Sequence, residues 1–436
     1  MARPIGIDLF AGAGGLSLGF EQAGFDVVAA VEIDPIHCAT HEFNFPNSKT
    51  ICASVVDLTG SEIRVLAGLE NDDIDVVFGG APCQGFSMIG KRAFDDDRNQ
   101  LVFHYVRLVK ELKPKYCVFE NVKGLTLGKH SQFLSELVEA LSEAGYNVLL
   151  PYKVLNASNF GVPQSRERLF LIAARQDQEL PKYAKSENLS VTVRDAIADL
   201  PDVDDFGELL FSDAVEVRWS TESKYALKLR GMLKDSTDFS YRRLYDPNIL
   251  TCSLITEHTD QSKKRFRETA PGKTEKISRF LRLAPDGLCN TLRAGTDSSR
   301  GAHTSPRPIH PVYPRVITVR EAARLHSYPD WFRLHATKWH GFRQIGNSVP
   351  PLLGRAVAGC IMRALGVEPT KPKGSIRLGD VNLLTMNMGQ AAAYFSVART
   401  VIAQRLRKQN ETNINDGLFE TIQPALPFFS MIKIIR

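Results

Sequence analysis

The sequence predicts an α/β protein with a doubly wound, mostly parallel sheet and a second, smaller domain of irregular structure. The first observation is that short apolar runs alternate with amphipathic helical patterns over residues 1 to about 180. Alternation of this kind is typical of a parallel sheet covered by helices on both faces. The second is that periodicity becomes irregular and polar from about 185 to 305 before regular patterns return.

The strand and helix candidates of the first 180 residues follow from their hydrophobic period. Short runs rich in β-branched and aromatic residues predict strands, and a period near 3.6 predicts helices. The clearest strand candidates are Ile5–Phe10, Val27–Ile33, Ile74–Gly79, Tyr116–Asn121, Tyr146–Leu150 and Leu169–Ala173, and a further strand before Asp57 is counted as the third. Helical patterns between them include Gln100–Leu112 and Phe133–Ala144.

Helical signals return near the end of the chain. Thr318 followed by Glu321 is the capping-box arrangement, which predicts a helix running to Tyr328. A second helix is expected over Pro350–Leu365, a linker after Gly366, and one further helix near Gln390–Lys408. The predicted division is 1–184 for a catalytic and cofactor-binding domain, 185–305 for the second domain, 306–366 for a segment that completes the first, and 367–436 for an extension of unassigned role.

Composition excludes several classes of protein. The 436 residues are 43% hydrophobic and 24% charged, and no run of eighteen apolar residues occurs, so we expect no membrane span. The first ten residues lead at once into a strand-like run, which leaves no room for a signal peptide. Seven scattered cysteines without a CxxC spacing predict a reduced, cytoplasmic protein with no structural metal.

Basic residues cluster in the predicted second domain. The net charge is only +5, but Gln261–Arg282 holds eight basic and two acidic residues. Such a cluster predicts a nucleic-acid contact, and a solvated helix face is the alternative.

A glycine-rich turn follows the first predicted strand. The segment Asp8–Gly15, DLFAGAGG, can turn sharply and admit a ligand close to the main chain. Glu32 ends the second strand, where a carboxylate can accept hydrogen bonds from ribose hydroxyls. Asp57 follows the third strand, in reach of an adenine amino group, and Phe10 offers a ring for stacking. The turn alone would suit NAD, FAD or S-adenosylmethionine, and the acidic residues alone could be solvated strand ends; in this order they favour a nucleoside cofactor.

A cysteine lies at the expected ligand-binding edge of the sheet. Cys83, between Pro82 and Gln84, comes just after the fourth strand, and open α/β sheets bind ligands at that edge. A lone cysteine is commonly a buried core residue, but the polar, glycine-containing stretch that follows to Arg98 indicates a loop over a site.

Two further groups are expected near Cys83. Glu120 emerges from a buried strand, and partial burial raises a carboxyl pKa, which suits proton donation. Alternation in Gln164–Arg168, QSRER, places Arg166 and Arg168 on one face. These arginines could orient a base or neutralise phosphate, or form a surface salt-bridge ladder with Glu167.

Taken together and in order, these motifs resemble the DNA (cytosine-5) methyltransferases. The resemblance covers residues 4 to about 366, and it includes two C-terminal motifs. The motifs are Asp8–Gly15, Glu32, Asp57, Pro82–Gln84, Glu120–Val122, Gln164–Arg168, Thr318–Leu325 and Arg343–Pro350.

The resemblance implies a role for each matching residue. It makes Cys83 the nucleophile, Glu120 the group that contacts ring nitrogen 3 of cytosine, and Arg166 and Arg168 supporting side chains. The implied cofactor-binding residues are Phe10, Ala11, Gly12, Gly14, Gly15, Glu32, Ile33, Asp57, Leu58, Asn347 and Ser348. The expected DNA contacts are Ser87, Arg98, Lys263, Lys264, Arg265, Arg267, Thr291 and Arg293, with the second domain as the target-recognition domain.

The implied activity is methyl transfer from S-adenosylmethionine to carbon 5 of a flipped-out cytosine in a specific duplex DNA sequence, through a covalent Cys83 adduct. The implied fold is the Rossmann-like methyltransferase fold, and we expect a prokaryotic monomer with a cognate restriction endonuclease. The alternatives are an RNA cytosine methyltransferase, a catalytically silent DNA-binding homologue and an NAD-dependent oxidoreductase, the last of which would leave Pro82–Gln84 and the second domain without a role.

Overall fold

Eight strands of the first 175 residues hydrogen-bond into one sheet in the computed structural model, which describes residues 3–81, 100–126, 131–186, 190–220, 223–295 and 307–402. The strands are β1 (Ile5–Leu9), β2 (Asp26–Glu32), β3 (Lys49–Cys52), β4 (Val76–Gly79), β5 (Tyr116–Val122), β6 (Tyr146–Val148), β7 (Lys153–Asn156) and β8 (Glu167–Arg175). Their order is β3-β2-β1-β4-β5-β8-β6, and β7 also pairs with β8. β1 to β5 run parallel, whereas β8 is antiparallel to β5, β6 and β7, so the predicted mostly parallel α/β sheet is confirmed.

Helices cover the sheet and extend through the rest of the described chain. They are α1 (Gly15–Ala23), α2 (Pro35–Asn44), α3 (Gly60–Ala67), α4 (Gln100–Leu112), α5 (Ser131–Glu143), α6 (Val193–Ile197), α7 (Lys224–Leu229), α8 (Asp260–Glu268), α9 (Val319–Leu325), α10 (Lys338–Asn347), α11 (Pro351–Ala364) and α12 (Met388–Tyr394). Four short strands complete the set: β9 (Val215–Glu216), β10 (Arg242–Leu244), β11 (Ile249–Leu250) and β12 (Ser375–Arg377).

Two apolar cores lie on opposite faces of the sheet. One contains side chains of α3, α4 and α5, and the other contains side chains of α1 and α11. The backbones of α1 and α11 approach so closely that a Cβ on Gly19 would lie 2.7 Å from the Cα of Gly354. Because α11 returns to the core that contains α1, a helix near residue 350 belongs to the same layered unit as β1.

The sequence-based bounds are largely confirmed. The capping box is present, because the Thr318 hydroxyl accepts from the Glu321 amide (3.2 Å) and the Glu321 carboxylate accepts from the Thr318 amide (2.7 Å). That helix ends at Leu325 rather than Tyr328, since Ser327 has a positive φ of 66°. The short strand β7 was missed because KVLN, with four residues, gives too little periodicity. The tail helix is α12, but it ends at Tyr394 rather than near Lys408. Residues 395–402 form turns and irregular chain, with a positive φ of 57° at Ser396, and residues 403–408 lie outside the described residues.

The irregular region does not form a separate core. Buried residues from α6 to the Leu292 segment pack together with α9 and α10 in one apolar cluster. The predicted domain boundaries therefore stay predictions. Within the described ranges no helix is long and apolar enough to cross a bilayer, and no group of three or more potential metal ligands occurs.

Candidate active site

A cavity of about 520 Å³ lies at the carboxyl ends of β1, β2, β4 and β5. Predicted cofactor residues that line it are Phe10, Ala11, Gly12, Gly15, Glu32, Ile33, Asn347 and Ser348. Glu120 and Arg168 line the same cavity. Residues predicted separately for cofactor binding and for catalysis thus share one concave space, as expected at this edge of an open α/β sheet.

The glycine turn is held in a conformation that side chains disfavour. Phe10, Gly12 and Gly14 all have positive φ angles (65°, 57° and 98°). A Cβ on Gly14 would lie 2.3 Å from the Phe45 ring, whereas a Cβ on Gly12 would meet nothing within 4 Å. Gly14 is therefore needed for packing under the turn, and Gly12 leaves open space on the cavity side.

Gly15 joins the turn to the C-terminal motif. A Cβ at this position would lie 2.5 Å from the Val349 carbonyl oxygen and 2.9 Å from the Ser348 Cβ. The turn near residue 12 and the segment near residue 348 therefore form adjoining walls of the cavity, although they are more than 300 positions apart in the chain.

Glu32 connects the turn to the end of β2. Its two carboxylate oxygens accept hydrogen bonds from the amides of Gly12 and Asp34, each at 2.9 Å. These bonds fix the carboxylate at the cavity wall and leave it further lone pairs for a ligand.

Asp8 is a second carboxyl group on the cavity wall, and it was not among the predicted site residues. It is 1% exposed and accepts a 2.5 Å hydrogen bond from the Ser17 hydroxyl. Burial raises the pKa of Asp8 to about 8, and the nearby Glu32 and Glu120 act in the same direction. A cationic ligand in the cavity would favour the ionised form of this group.

An ion pair across the cavity was also missed. Asp34 caps α2 and pairs with Arg343 of α10, with 2.6 Å between the Oδ2 and Nη1 atoms. Burial acts to raise the pKa of Asp34, but His37 and Arg343 outweigh it and leave the pKa below its ordinary value. The signal available in the sequence was an aspartate before Pro35, a common helix start.

His37 is a further missed residue of this wall. It is 4% exposed and lines the cavity, and its Nε2 has no hydrogen-bond partner among the described residues. Its ring nitrogens lie 4.0 Å from Glu32 and 3.9 Å from Asp34. An unpartnered buried nitrogen at the wall indicates a place for a polar ligand atom.

The part of the cavity where an adenine contact was expected differs from the prediction. Asp57 and Leu58 do not line the cavity; Ala53, Ser54 and Val55 do. The Asp57 amide donates to the Ser54 carbonyl (3.1 Å), and this turn leaves the Asp57 side chain exposed. A role for Asp57 and Leu58 in this cavity therefore finds no support, because the chain turns away three residues earlier than the spacing suggested.

Glu120 and Arg168 form a largely buried ion pair. The Arg168 Nε lies 2.9 Å from the Glu120 Oε1, and each side chain is 12% exposed. Burial raises the pKa of Glu120, while Arg168 and Arg166 lower it, and the net pKa is above the ordinary value. The alternative of a surface salt-bridge ladder between these arginines and Glu167 is not observed, since Glu167 pairs with Lys123 at 2.9 Å.

Glycine after β4 makes room for this carboxylate. A Cβ on Gly80 would lie 2.4 Å from the Glu120 Oε2. The Asn121 side chain donates to the Ala81 carbonyl at 3.0 Å, which fixes the chain one residue before Pro82. Cys83 itself, with Ser87 and Arg98, lies outside the described residues.

Arg166 is placed beneath the cavity rather than in its lining. It has no exposed surface and donates to the carbonyls of Leu292 (2.8 Å), Gly346 (2.8 Å) and Ser348 (2.7 Å). Direct contact with phosphate is incompatible with this burial. Arg166 instead joins three distant segments of the site.

The predicted DNA contacts have different surroundings. On α8, Lys264 and Arg267 are exposed, Lys263 is partly exposed, and Arg265 faces the buried carboxylate of Glu275 at 3.5 Å. The Thr291 hydroxyl donates to the Ser165 carbonyl at 2.7 Å, and Arg293 is exposed. Among these predicted contacts, Lys264, Arg267 and Arg293 are the exposed ones and are therefore best placed to contact a polyanion.

The whole arrangement is similar in sequence to a known family. The model of the C-5 cytosine-specific DNA methylases matches residues 6–363. The Type II methyltransferase M.XorII of Xanthomonas oryzae pv. oryzae is 64% identical over 407 residues, covering 93% of this chain and 96% of that protein. M.AgeI of Thalassovita gelatinovora is 30% identical, covering 82% and 99%.

Solved structures share the fold. A prophage-encoded protein of E. coli, described as a DNA modification methyltransferase, is 36% identical with a TM-score of 0.68, covering 83% of this chain and 99% of that one. The S. pombe Dnmt2 methyltransferase, 19% identical with a TM-score of 0.51 and coverages of 83% and 99%, is similar in fold. The family match and the solved structure at 36% identity thus both point to DNA methyltransferases.

Proposed function

We propose, from the premise that this chain belongs to the C-5 cytosine-specific DNA methylase family and is a DNA (cytosine-5) methyltransferase, that it methylates carbon 5 of a flipped-out cytosine through a covalent adduct of Cys83. The observation that carries the proposal is the shared cavity, where the glycine turn and Glu32 face the same space as Glu120 and Arg168. A methyl donor and a target cytosine bound in this cavity would lie next to each other.

The cavity residues fit S-adenosylmethionine, the cofactor that the family implies. Glu32 offers lone pairs for ribose hydroxyls, Phe10 a ring face, and the open side of Gly12 room for the methionine portion. The carboxyl groups of Asp8, Glu32 and Asp34 suit a cationic ligand. When bound, this cofactor supplies the methyl group; Asn347 and Ser348 would complete its enclosure.

Cys83 and Glu120 carry the chemistry on the cytosine. The Cys83 thiolate forms a bond to carbon 6, and the displaced ring electrons make carbon 5 nucleophilic enough to take the methyl group. Glu120 donates a proton or hydrogen bond to ring nitrogen 3, where negative charge develops. A base then removes the proton from carbon 5, and the electron pair that remains expels the Cys83 thiolate and restores the aromatic ring.

The environment of Glu120 suits this role. Because burial holds the pKa of Glu120 above its ordinary value, a larger fraction is protonated near neutral pH than for an exposed glutamate. Arg168 orients the carboxyl group through its Nε at 2.9 Å and limits how far that pKa rises. Arg166 acts as a positioning residue that joins Ser348 to the Leu292 segment.

Duplex DNA is the proposed substrate, with the target cytosine turned out of the stack because a stacked base cannot reach a cavity of this kind. Lys264 and Arg267 of α8 would contact phosphate, and Thr291 and Arg293 lie on a segment bonded to Ser165 and Arg166 beside the site. Since M.XorII and M.AgeI are named Type II methyltransferases, we also propose that the chain acts as a monomer alongside a cognate restriction endonuclease.

Bisulfite sequencing tests the proposal directly. Host DNA from cells expressing the wild-type chain should show protected cytosines at one recurring sequence, and cells expressing Cys83→Ala should show none. Methylation of purified duplex DNA, but not of tRNA, is expected with labelled cofactor. Absence of protected cytosines in the wild-type host, or full activity of Cys83→Ala, would contradict it.

A further inference from the structure

The family match ends at residue 363, but the described chain continues to residue 402 and remains folded onto the catalytic unit. Within it β12 pairs in parallel with β10, and α12 follows. We refer to residues 375–402 as the C-terminal brace. The matched catalytic motifs all lie before residue 375, so we infer the role of this segment from its contacts.

The brace first contacts the helix that begins at the cofactor wall. The Gly379 amide donates to the Phe43 carbonyl at 2.9 Å, and Leu383 and Leu384, 3% and 0% exposed, pack on Phe43 and Ala39 of α2. The α12 end adds a 2.6 Å hydrogen bond from the Tyr394 hydroxyl to Glu42. The outer side of α2 is therefore covered by the brace rather than by the family core.

The brace also holds the segment that leads into α10. The Ala336 amide donates to the Leu384 carbonyl at 2.9 Å, and the His335 Nε2 lies 3.0 Å from the Met386 carbonyl oxygen. The His335 amide in turn donates to the side chain of Gln344 in α10 at 3.0 Å. Both helices are thus attached to one short stretch of the brace.

These same helices form the cofactor side of the cavity. Gln344 donates to the Thr40 hydroxyl of α2 at 2.8 Å, and Arg343 pairs with Asp34 at the start of α2. Asp34, Arg343 and Gln344 all line the cavity, and so does Ile402 of the brace itself. Any change in the spacing of α2 and α10 would alter this wall.

We propose that the C-terminal brace is a positioning element for cofactor binding: it fixes α2 and α10 relative to one another and so sets the wall containing Asp34 and Arg343. The inference deepens the proposed function, because it takes S-adenosylmethionine as the ligand of the cavity. Displacing the brace weakens cofactor affinity and raises the KM for the cofactor, while DNA binding, which depends on other surfaces, is retained.

Two glycines, Gly379 within the brace and Gly374 just before it, provide a matched test. A Cβ on Gly379 would lie 2.9 Å from the Phe43 Cα and 3.4 Å from the Glu42 carbonyl oxygen, whereas a Cβ on Gly374 would meet nothing within 4 Å. By calorimetry on the full chain, Gly379→Ala should weaken binding of S-adenosylmethionine roughly three- to thirtyfold, the usual range for a coupling site away from the ligand. Gly374→Ala should bind like the wild type.

Further readouts separate positioning from general destabilisation. Leu384→Ala, with Val381→Ala as its exposed control (54% exposed), covers the case in which Gly379→Ala fails to fold. Thermal midpoints without ligand, DNA affinity and the KM for each substrate are measured beside cofactor affinity. A rise in the KM for the cofactor, without a rise in the KM for DNA, supports the positioning role of the brace. Unchanged cofactor affinity in folded Gly379→Ala and Leu384→Ala would overturn the positioning role of the brace, and so would an equal loss of DNA affinity. A wild-type chain that binds no S-adenosylmethionine would instead contradict the proposed function.

Discussion

The Nε of Arg168 lies 2.9 Å from the Oε1 of Glu120, inside the cavity that also contains the glycine turn. Removing one partner of a largely buried ion pair leaves the other charge uncompensated. The pair therefore links the protonation of Glu120 to the charge of Arg168 on β8, and its strength can be measured through activity at different pH values.

Arg168→Met should move the pH dependence of turnover. Arg168 lowers the pKa of Glu120 against the effect of burial, so its loss lets that pKa rise further above the ordinary value. If the protonated form donates to the base, activity falls as pH rises through the Glu120 pKa, and the falling limb of kcat should shift to higher pH. The maximum rate should also drop, on the order of tenfold or more, because the carboxyl group loses its orientation.

The control for this experiment is Arg168→Lys, which keeps a positive charge near Glu120 and should leave the limb close to the wild-type position. Glu120→Gln should lose the limb altogether and fall by about 10² to 10⁴ in kcat. A falling limb that moves to lower pH in Arg168→Met, or that persists in Glu120→Gln, would show that another group is responsible.

Gly80→Ala should impair catalysis more than stability. The added Cβ would lie 2.4 Å from the Glu120 Oε2, so the carboxylate must move away from Arg168. We expect kcat to fall about 10²-fold, the loss associated with misplacing a catalytic group by about 1 Å. Gly124→Ala, at a position just after β5 where nothing lies within 4 Å of the new Cβ, is the matched control and should retain activity.

The sequence anticipated the parts of this site that depend on strand ends. Glu32 and Glu120 line the cavity at the common edge where parallel strands end, an edge that hydrophobic period alone can locate, and their roles there stay predictions. The surroundings of Arg166 could not be predicted in this way: strand alternation places it on the same face as Arg168, but only the tertiary structure shows the carbonyls of Leu292, Gly346 and Ser348 that accept its hydrogen bonds.

Other features depend on contacts that sequence spacing does not contain. Asp57 was favoured for its charge and order in the chain, yet a turn at Ser54 removes it from the wall. The ion pair of Asp34 with Arg343 joins residues 309 positions apart, and no local pattern reports such a pairing. The contribution of the irregular region to the core with α9 and α10 was hidden for the same reason.

Arg166→Ala should destabilise the fold. The substitution removes three charge-assisted hydrogen bonds, two to buried carbonyls and one to the partly buried carbonyl of Ser348, and leaving a buried acceptor unsatisfied costs about 1–3 kcal/mol. We expect the free energy of unfolding to fall by about 3–5 kcal/mol, measured by urea denaturation. Arg293→Ala, an exposed position on the adjoining segment, should stay within about 0.5 kcal/mol of the wild type.

Lys264→Ala and Arg267→Ala should weaken DNA binding without changing which sequence is methylated. Both residues are exposed on α8, and charged side chains of this kind contact phosphate rather than base edges. Each lost phosphate contact should reduce the slope of log K against log salt concentration by about 0.9. The double variant should therefore show a slope smaller by about 1.8, read from fluorescence anisotropy over a salt series. Lys110→Ala, exposed on α4, is the control for each single variant, since it also removes one positive charge. An unchanged slope in the double variant, or an altered methylation sequence, would mean that α8 does not act as a phosphate contact.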